Sequence, residues 1–484
     1  MRFCGGLAAM ALLLLSATVA PAQQGRVVFE SSDKRLAAGF EWAKRQALAY
    51  VFHGDPVGDW YEAALPNRNA FCMRDVSHQS TGAQVLGLAP VTANLLRKFA
   101  FNIADARDWC TFWEIDRSDR PAPVDYTSDS DFWYCLPANF DILNCCYRQY
   151  LATGNRAYLE DRVFLNFYER TVSDYVRRWD KDRDGIPESY RKYGRRGIGS
   201  YTEDLELHAL VGGDLVAAEF AAFQAYARIQ ELRGNSSVAA EYQRKADLLR
   251  AQYNGKWWDA KNDRFYTSLL QDGGFHARDP VSPFDLWFGI PEEGLRTERA
   301  LDRLLGQSAA DVEELSYVPE IAYRYGRNAA GYAALMRLTD PKLERREYPE
   351  ISFAVVGAIS TGAMGIRPDA AGRLVETLPR LTGDTAWAEV RHLPALGNQI
   401  GVKHWGIGET QFTNESGPPI QWKAGFPGQA EALLVDGRRA VKLTGRSASG
   451  ELESYVILTV AKGQTRKVRA AGVEPVRDRE RTGW

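Results

Sequence analysis

The sequence predicts a mainly α fold in which helical hairpins stack into a ring, followed by a small β module. Three observations carry this. Apolar residues recur at helical spacing over Lys34–Phe52, Thr81–Ile103, Ala138–Leu151, Ala157–Trp179, Leu215–Arg233 and Ser237–Tyr253, as in helices that bury one face. Short turns separate paired helices at Thr153-Gly154-Asn155 and Arg233-Gly234-Asn235, where Gly or Asn can take the left-handed conformation that ends a helix. After about Thr410 the period shortens to that of strands, in Ala432–Val435, Ala440–Leu443 and Tyr455–Val460.

Taken in order, the chain opens with Met1-Arg2, an apolar run from Leu7 to Val19 and the small-residue site Ala20-Pro21-Ala22. This reads as a signal peptide over 1–22, which implies a periplasmic or secreted protein. The run is shorter than the ~20 residues needed to cross a bilayer, and no membrane span is expected. The helical body is assigned to 23–405 and the β module to 406–484. Within the body, Gly154-Asn155 recurs as Gly234-Asn235 and Trp179-Asp180 recurs as Trp258-Asp259, each time after a long helix. A repeated helix pair cannot bury its apolar face alone and must stack on copies of itself. The remaining length holds about six pairs, enough to close a ring. An open solenoid fits the repeat as well, but the long connections Cys110–Asp131, Asp180–Gly213 and Thr267–Gly289 favour the ring, because long structured loops usually carry a site.

Composition narrows the function. The net charge is -2, from 60 basic and 62 acidic side chains, and no Lys/Arg run suits a phosphate backbone, so a nucleic-acid partner is not expected. Aromatic residues make up 12% of the chain, and amphipathic rings suit flat, ring-shaped ligands as well as a large core. Past the leader stand Cys72, Cys110, Cys135, Cys145 and Cys146. One or two bridges would fit an oxidising compartment, while the adjacent Cys145 and Cys146 read as buried thiols. No Cys or His pair has ligand spacing, and no nucleotide loop or nucleophile elbow occurs. Neither metal nor cofactor is expected.

Carboxylates beside aromatics are what the loops do contain. Phe71-Cys72-Met73-Arg74-Asp75-Val76-Ser77-His78-Gln79 leads into the helix near Thr81; its charges face a polar cavity or merely pair and cap. Tyr201-Thr202-Glu203-Asp204-Leu205-Glu206-Leu207-His208 precedes the helix at Leu215. In Glu344–Glu350 the proline restricts Tyr348 to an extended backbone and places Glu350 at the start of an apolar helix, where the dipole favours the charged carboxylate. Asp180-Lys181-Asp182-Arg183-Asp184-Gly185 mimics the start of a calcium loop, but Arg191 stands where a bidentate Glu is needed. An Asx-rich turn is the expected reading, and calcium would need ligands from elsewhere in the chain.

The order and wording of these segments resemble the six-hairpin, (α/α)6-toroid glycoside hydrolases, most closely the catalytic domain of bacterial α-L-rhamnosidases. Arg74-Asp75 followed by Thr81-Gly82-Ala83-Gln84-Val85 is similar to that family's Arg-carboxylate loop and second helix. Ile351-Ser352-Phe353 through Gly365-Ile366-Arg367-Pro368-Asp369 resembles its last inner helix and the turn after it. Trp387-Ala388-Glu389 and Gly401-Val402-Lys403-His404-Trp405 resemble the opening of its C-terminal β-sandwich. The resemblance implies an (α/α)6 toroid with a small C-terminal β-sandwich, Asp75 at the general-acid position, and Glu350, or failing it Glu347, as the base. The chain departs from the family after Asp75, where Glu/Arg and Gly-Trp are absent, and at the base, where Glu347-Tyr348-Pro349-Glu350 replaces a Trp-Glu segment.

The chemistry agrees. Glycoside cleavage needs one protonated carboxyl for the leaving oxygen and one ionised carboxylate to activate water or attack carbon. The expectation is an inverting, metal-independent hydrolase of a plant or microbial oligo- or polysaccharide, with burial raising the pKa of Asp75 and the helix terminus keeping Glu350 ionised. Glu203 and Asp204 would bind the sugar or replace Asp75. Arg74, His78, Trp133, Tyr201, His208 and Trp405 would contact it, with Trp60 and Tyr134 as further platforms. Two alternatives stand beside this: a polysaccharide lyase using His78 with Arg74, or Tyr201 with His208, and a non-catalytic glycan-binding protein.

Overall fold

A computed structural model describes residues 24–189, 195–202, 209–308, 311–382, 385–447 and 450–473. The principal helices are, in chain order, α1 (Lys34–Ala49), α2 (Met73–Val85), α3 (Ala89–Phe101), α4 (Pro137–Thr153), α5 (Arg162–Arg170, prolonged through a π turn to Trp179) and α6 (Gly213–Leu232). They continue as α7 (Ser236–Lys256), α8 (Phe284–Phe288), α9 (Leu295–Gly306), α10 (Val312–Arg324), α11 (Asn328–Leu338) and α12 (Pro349–Gly357, prolonged through a π turn to Ala363).

These helices alternate in position. α2 packs on α4, α4 on α6, α6 on α8, α8 on α10, α10 on α12, and α12 returns to α2. The even-numbered helices therefore form a closed circuit. Outside it, α1 covers α12, α3 covers α2, α5 lies against α3 and α4, α7 covers α6, and α9 and α11 cover α10. Sequence chemistry accounts for the two layers. The segment Leu215–Phe223 of α6, apolar save for Glu219, is buried on every side, whereas α7 buries only Tyr242, Ala246, Leu249 and Tyr253, a single stripe. The repeated turns end inner helices: Gly154 closes α4 with φ +72 and Gly234 follows α6 with φ +83. The repeated Trp-Asp pairs both follow outer helices, α5 and α7, so the repeat unit is one inner–outer hairpin.

The circuit closes tightly where α2 meets α12. A Cβ on Gly82 would lie 2.1 Å from the Phe353 carbonyl oxygen, and one on Gly357 would lie 3.2 Å from the Gly82 nitrogen. Only glycine at 82 permits this backbone approach.

Strands form about 26% of the described residues against 42% helix, more than a small cap would supply. The β part starts well ahead of the expected boundary at 405/406. β1 (Val28–Ser31) lies before α1, while β2 (Ala70–Cys72) and β3 (Glu114–Asp116) form a separate pair. Then follow β4 (Ile366–Asp369), β5 (Leu374–Thr377), β6 (Trp387–Ala395), β7 (Asn398–Trp405), β8 (Glu409–Ser416), β9 (Ile420–Pro427), β10 (Ala432–Val435), β11 (Arg438–Ala440), β12 (Leu443–Arg446), β13 (Leu452–Val460) and β14 (Thr465–Ala471). One sheet is 7-stranded, ordered β1-β6-β7-β8-β14-β10-β11, and the other 5-stranded, ordered β4-β5-β9-β13-β12. Phe412 of the first stacks on Trp422 of the second at 5.1 Å. The expected boundary falls between paired strands β7 and β8, and β1 is contributed from the opposite end of the chain.

The sandwich seats on the C-terminal ends of the inner helices. Gln84 at the end of α2 donates to Pro394 O (2.5 Å), the Ala370 and Leu396 N–H groups donate to Leu151 and Ala152 at the end of α4, and His404 bonds Met364 O (2.9 Å) beyond α12. A cavity of about 390 Å³ remains between the two parts, lined by Arg148, Arg324, Arg367 and Arg380 among others.

Two helix expectations are corrected. The first helix stops at Ala49 because Val51–Asp55 is a strand, and the Thr81–Ile103 run is two helices broken at Gly87 (φ +78). The cysteines from Cys72 to Cys146 are buried free thiols, not bridges. Among the described residues, no helix is long and apolar enough to cross a membrane.

Because the α2–α12 contact is backbone against backbone, Gly82→Ala is expected to cost about 1–3 kcal/mol or more of stability by overpacking. A thermal midpoint within about a degree of the parent's, read by circular dichroism, would contradict that packing.

Candidate active site

The N-terminal ends of the inner helices meet at the mouth opposite the sandwich. β2 runs directly into α2, with Cys72 extended at the N-cap (φ -94, ψ 149). Arg74 and Asp75 therefore occupy the first turn of α2, not a loop before a helix at Thr81. Arg74 donates to Glu313 at the start of α10 (2.7 Å), lies 3.6 Å from Asp75, and reaches the Tyr201 carbonyl (3.4 Å) with its guanidinium over the Tyr201 ring. At the start of α12, Pro349 follows an extended Tyr348 (ψ 136), as the steric rule before proline requires. Glu350 is thereby in the first turn, and Gln79 of α2 accepts from its backbone N–H (3.0 Å).

Deeper in the ring, Asp141 of α4 accepts from Ser77 (2.5 Å) and from the Tyr201 hydroxyl (3.2 Å). Asp214 in the first turn of α6 accepts the Tyr201 N–H (2.5 Å). His78 bonds Ser316 of α10 (2.8 Å) and stacks on Tyr317 at 3.7 Å. Trp113, whose carbonyl accepts from Met73 N–H, stands 6.1 Å from the Tyr201 ring. The mouth is thus an acidic cleft walled by Tyr201 and Trp113, with Arg74 bridging Asp75 and Glu313.

Burial dominates the charge states. Asp75 is 8% exposed, and its carboxyl is pushed up to about 7 by desolvation and the like charge of Glu313, against the pull of Arg74. Glu350 is held well above the usual carboxylate range by desolvation, then by Asp75 and Glu313. Its Oε1 has no hydrogen-bond partner. The expectation that the helix terminus keeps Glu350 ionised is therefore corrected: burial and two like charges outweigh the dipole. Asp141 is raised to about 6 by burial. His78 is lowered to about 3 by burial beside Arg148 and Arg74, and so is neutral. Behind the cleft, Glu114 on β3, opposite Cys72, is raised to about 9 by burial and by Asp125.

Of the residues singled out from sequence, Asp75, Glu350, Arg74 and Tyr201 come together. Glu347 is exposed, and only its carbonyl is engaged, by Tyr50. Glu203, Asp204 and His208 lie outside the described residues. His78 is inside the ring with its imidazole stacked, not presented to the mouth. Trp133 is half-buried beside Asp125, whose carbonyl accepts its N–H. Trp405 sits on β7 between Lys403 and Lys467, in the sandwich. Trp60 and Tyr134 are core residues at 0% exposure. Sequence reasoning missed Glu313, Asp141 and Trp113. An acid inside the apolar run Phe140-Asp141-Ile142-Leu143 was a usable signal; Glu313 beside Glu314 was not.

No family model and no curated protein matches the chain. Solved structures match by fold. An α-L-rhamnosidase from Dictyoglumus thermophilum has a TM-score of 0.60 at 13% identity, over 93% of this chain and 50% of that one. A GH78 family rhamnosidase of Bacillus sp. GL1 has a TM-score of 0.59 at 15% identity, over 80% and 40%. A putative kojibiose phosphorylase from human microbiome has a TM-score of 0.54 at 10% identity, over 90% and 63%. The chain shares the fold of these structures and spans half or less of the length of the two rhamnosidases.

Asp75 binds its proton more tightly folded than unfolded, so its contribution to stability is full below about pH 4 and is lost as pH rises toward about 7. Asp75→Asn abolishes that loss, and its thermal midpoint relative to the parent should rise between pH 4.5 and 7.5. An offset that stays constant across that range would refute the raised carboxyl.

Proposed function

We propose that the protein is a glycoside hydrolase in which the circuit of even-numbered helices is the inner ring of an (α/α)6 toroid and the acidic cleft is its active site. The observation that carries this reading is the pair of buried, mutually interacting carboxyls, Asp75 and Glu350, on adjacent inner helices. Like charges this close do not both ionise readily, so near neutrality the pair holds one proton. Arg74 lies against Asp75, and among the described residues no ion pair involves Glu350, which favours the proton on Glu350. In this reading Glu350 protonates the glycosidic oxygen as the bond to the anomeric carbon breaks. Ionised Asp75 takes a proton from the water that attacks that carbon. This reverses the division of labour that the family resemblance implies. Arg74 orients Asp75, and Tyr201 and Trp113 offer faces to a sugar ring.

Inversion would follow if the carboxyls admit a water between them. α-L-Rhamnosides are the first substrates to try, given the fold matches, followed by plant and microbial oligosaccharides. Export rests on the Leu7–Val19 run alone. A lyase is disfavoured because Arg74, which would have to neutralise a uronate, is already paired with Glu313.

On an oligosaccharide, Asp75→Asn and Glu350→Gln should each lower kcat by ~10²–10⁴. On an aryl glycoside whose leaving group needs no proton, Glu350→Gln should recover most of the parent's rate and Asp75→Asn should not. The opposite selectivity would restore Asp75 as the acid; near-parental rates for both variants would sink the assignment, and an ultraviolet-absorbing unsaturated product would mark a lyase.

A further inference from the structure

The loop that follows α5 reads Asp180-Lys181-Asp182-Arg183-Asp184-Gly185-Ile186-Pro187-Glu188. It turns through Gly185 (φ +97), and carboxylate oxygens of Asp180, Asp182 and Glu188 lie within 4.8 Å of one another. Backbone N–H groups engage these carboxylates: those of Arg183 and Gly185 donate to the two oxygens of Asp180 (2.7 and 3.0 Å), that of Asp184 to Asp182 (3.0 Å), and that of Lys181 to Glu188 (2.8 Å). A tight Asx turn accounts for these bonds. It does not account for the neighbour supplied by the ring.

Glu219 lies on α6 at 0% exposure, and neither of its carboxyl oxygens has a hydrogen-bond partner. A buried carboxyl with both oxygens unsatisfied is among the most costly arrangements a fold can hold. After burial itself, the charges acting on this carboxyl are Asp184 and Asp180, which points it at the loop; Lys245, the cation that also acts on it, is bonded to Glu241 at 2.8 Å. Asp184, on the exposed side of the loop, is raised in turn by desolvation, Asp182, Asp180 and Glu188. The acids of the loop and the orphaned acid of the helix thus lie within range of one another's charge.

We propose that Asp180, Asp182, Asp184 and Glu188 of the loop, together with Glu219 of α6, bind one divalent cation, calcium. All the donors are carboxylate oxygens, those of Asp180, Asp182 and Asp184 at alternate positions ahead of a glycine, which suits the larger ion's irregular shell of 6–8 oxygens better than magnesium's strict octahedron. Glu219 supplies from the ring the acidic ligand that the loop lacks at Arg191. The ion would fasten the exit of outer helix α5 to inner helix α6, whose first turn holds Tyr201 through Asp214.

The test uses the full chain, stripped with chelator and dialysed, then titrated with calcium chloride by calorimetry and by thermal unfolding. One site is expected, with a midpoint that rises by several degrees at saturation and by less with magnesium chloride. Asp182→Asn, on an exposed side chain, should weaken calcium binding about tenfold or more. Glu219→Gln should remove the calcium-dependent rise while holding or raising the midpoint in chelator, since a neutral amide needs no counter-charge. The proposal is overturned if the parent shows neither heat nor midpoint shift up to about 5 mM calcium, or if Asp182→Asn binds calcium as the parent does. An equal response to magnesium would overturn the choice of ion. Should Glu219→Gln fail to fold, Asp182→Asn decides.

Discussion

The backbone contact between α2 and α12 is the constraint on which the rest depends. On α2, Asp75, Gln79 and Gly82 lie on one stripe at helical spacing. On α12, Glu350, Phe353 and Gly357 do the same. With glycine at 82 the two stripes approach until Gly82 touches the Phe353 carbonyl. One turn up, the Gln79 amide then reaches the Glu350 N–H, and at the top of the same groove the two carboxyls fall under each other's field. Closure of the circuit and assembly of the acid pair are one event. A side chain at 82 would part the helices and loosen the pair before it touched either acid.

Within that groove the balance of charges follows from magnitudes. A helix N-terminus stabilises a carboxylate by ~0.3–1 kcal/mol at the surface and ~2 kcal/mol at best. Full burial shifts a carboxyl by up to ~3–5 pKa units, each worth ~1.4 kcal/mol. Three carboxyls, Asp75, Glu313 and Glu350, share one arginine, and that arginine makes its shortest bond to Glu313. The two carboxyls left over are the two most buried, so they are the ones that rise. Burial first, and the shortage of positive charge after it, raises them, and the neutral His78 behind them adds no charge.

Much of this was legible in the sequence because it is local. The helical periods, the Gly-Asn turns and the pairing of Tyr348 with Pro349 are short-range physics; the turns and the extended Tyr348 are found where the pattern placed them, and the helical periods mark helices save at Val51-Phe52 and at the Gly87 break. Asp75 and Glu350 could be read because each stands at the edge of an apolar helix. What was not legible depends on contacts between distant segments. Glu313 and Glu314 are neighbours with the same local context, yet one faces Arg74 and the other Arg278. The β1–β6 pairing joins Val28 to Arg391, which no window along the chain can show, and so the boundary of the sandwich was placed too late. Trp60 and Tyr134 are ordinary strand aromatics until packing declares them core.

One global signal in the sequence did indicate which end of the ring would carry chemistry. The connections that follow inner helices are short, as at 86–88, 233–235 and 325–327, and several of those that precede inner helices are long, as at 50–72, 180–212 and 257–283. Short turns leave no chain to build a cleft, and on that side the sandwich covers the helix ends through Gln84, Leu151 and His404. The long connections all open on the other side, where the first turns of α2, α10 and α12 present Asp75, Glu313 and Glu350. Loops that cost entropy to order persist where they do something. The cavity under the sandwich is larger than the acidic cleft's visible contacts would suggest, but Asp75, Glu313 and Glu350 do not line it. Asymmetry of loop length, read together with acids at helix entrances, identifies the acidic mouth better than the volume of the void does.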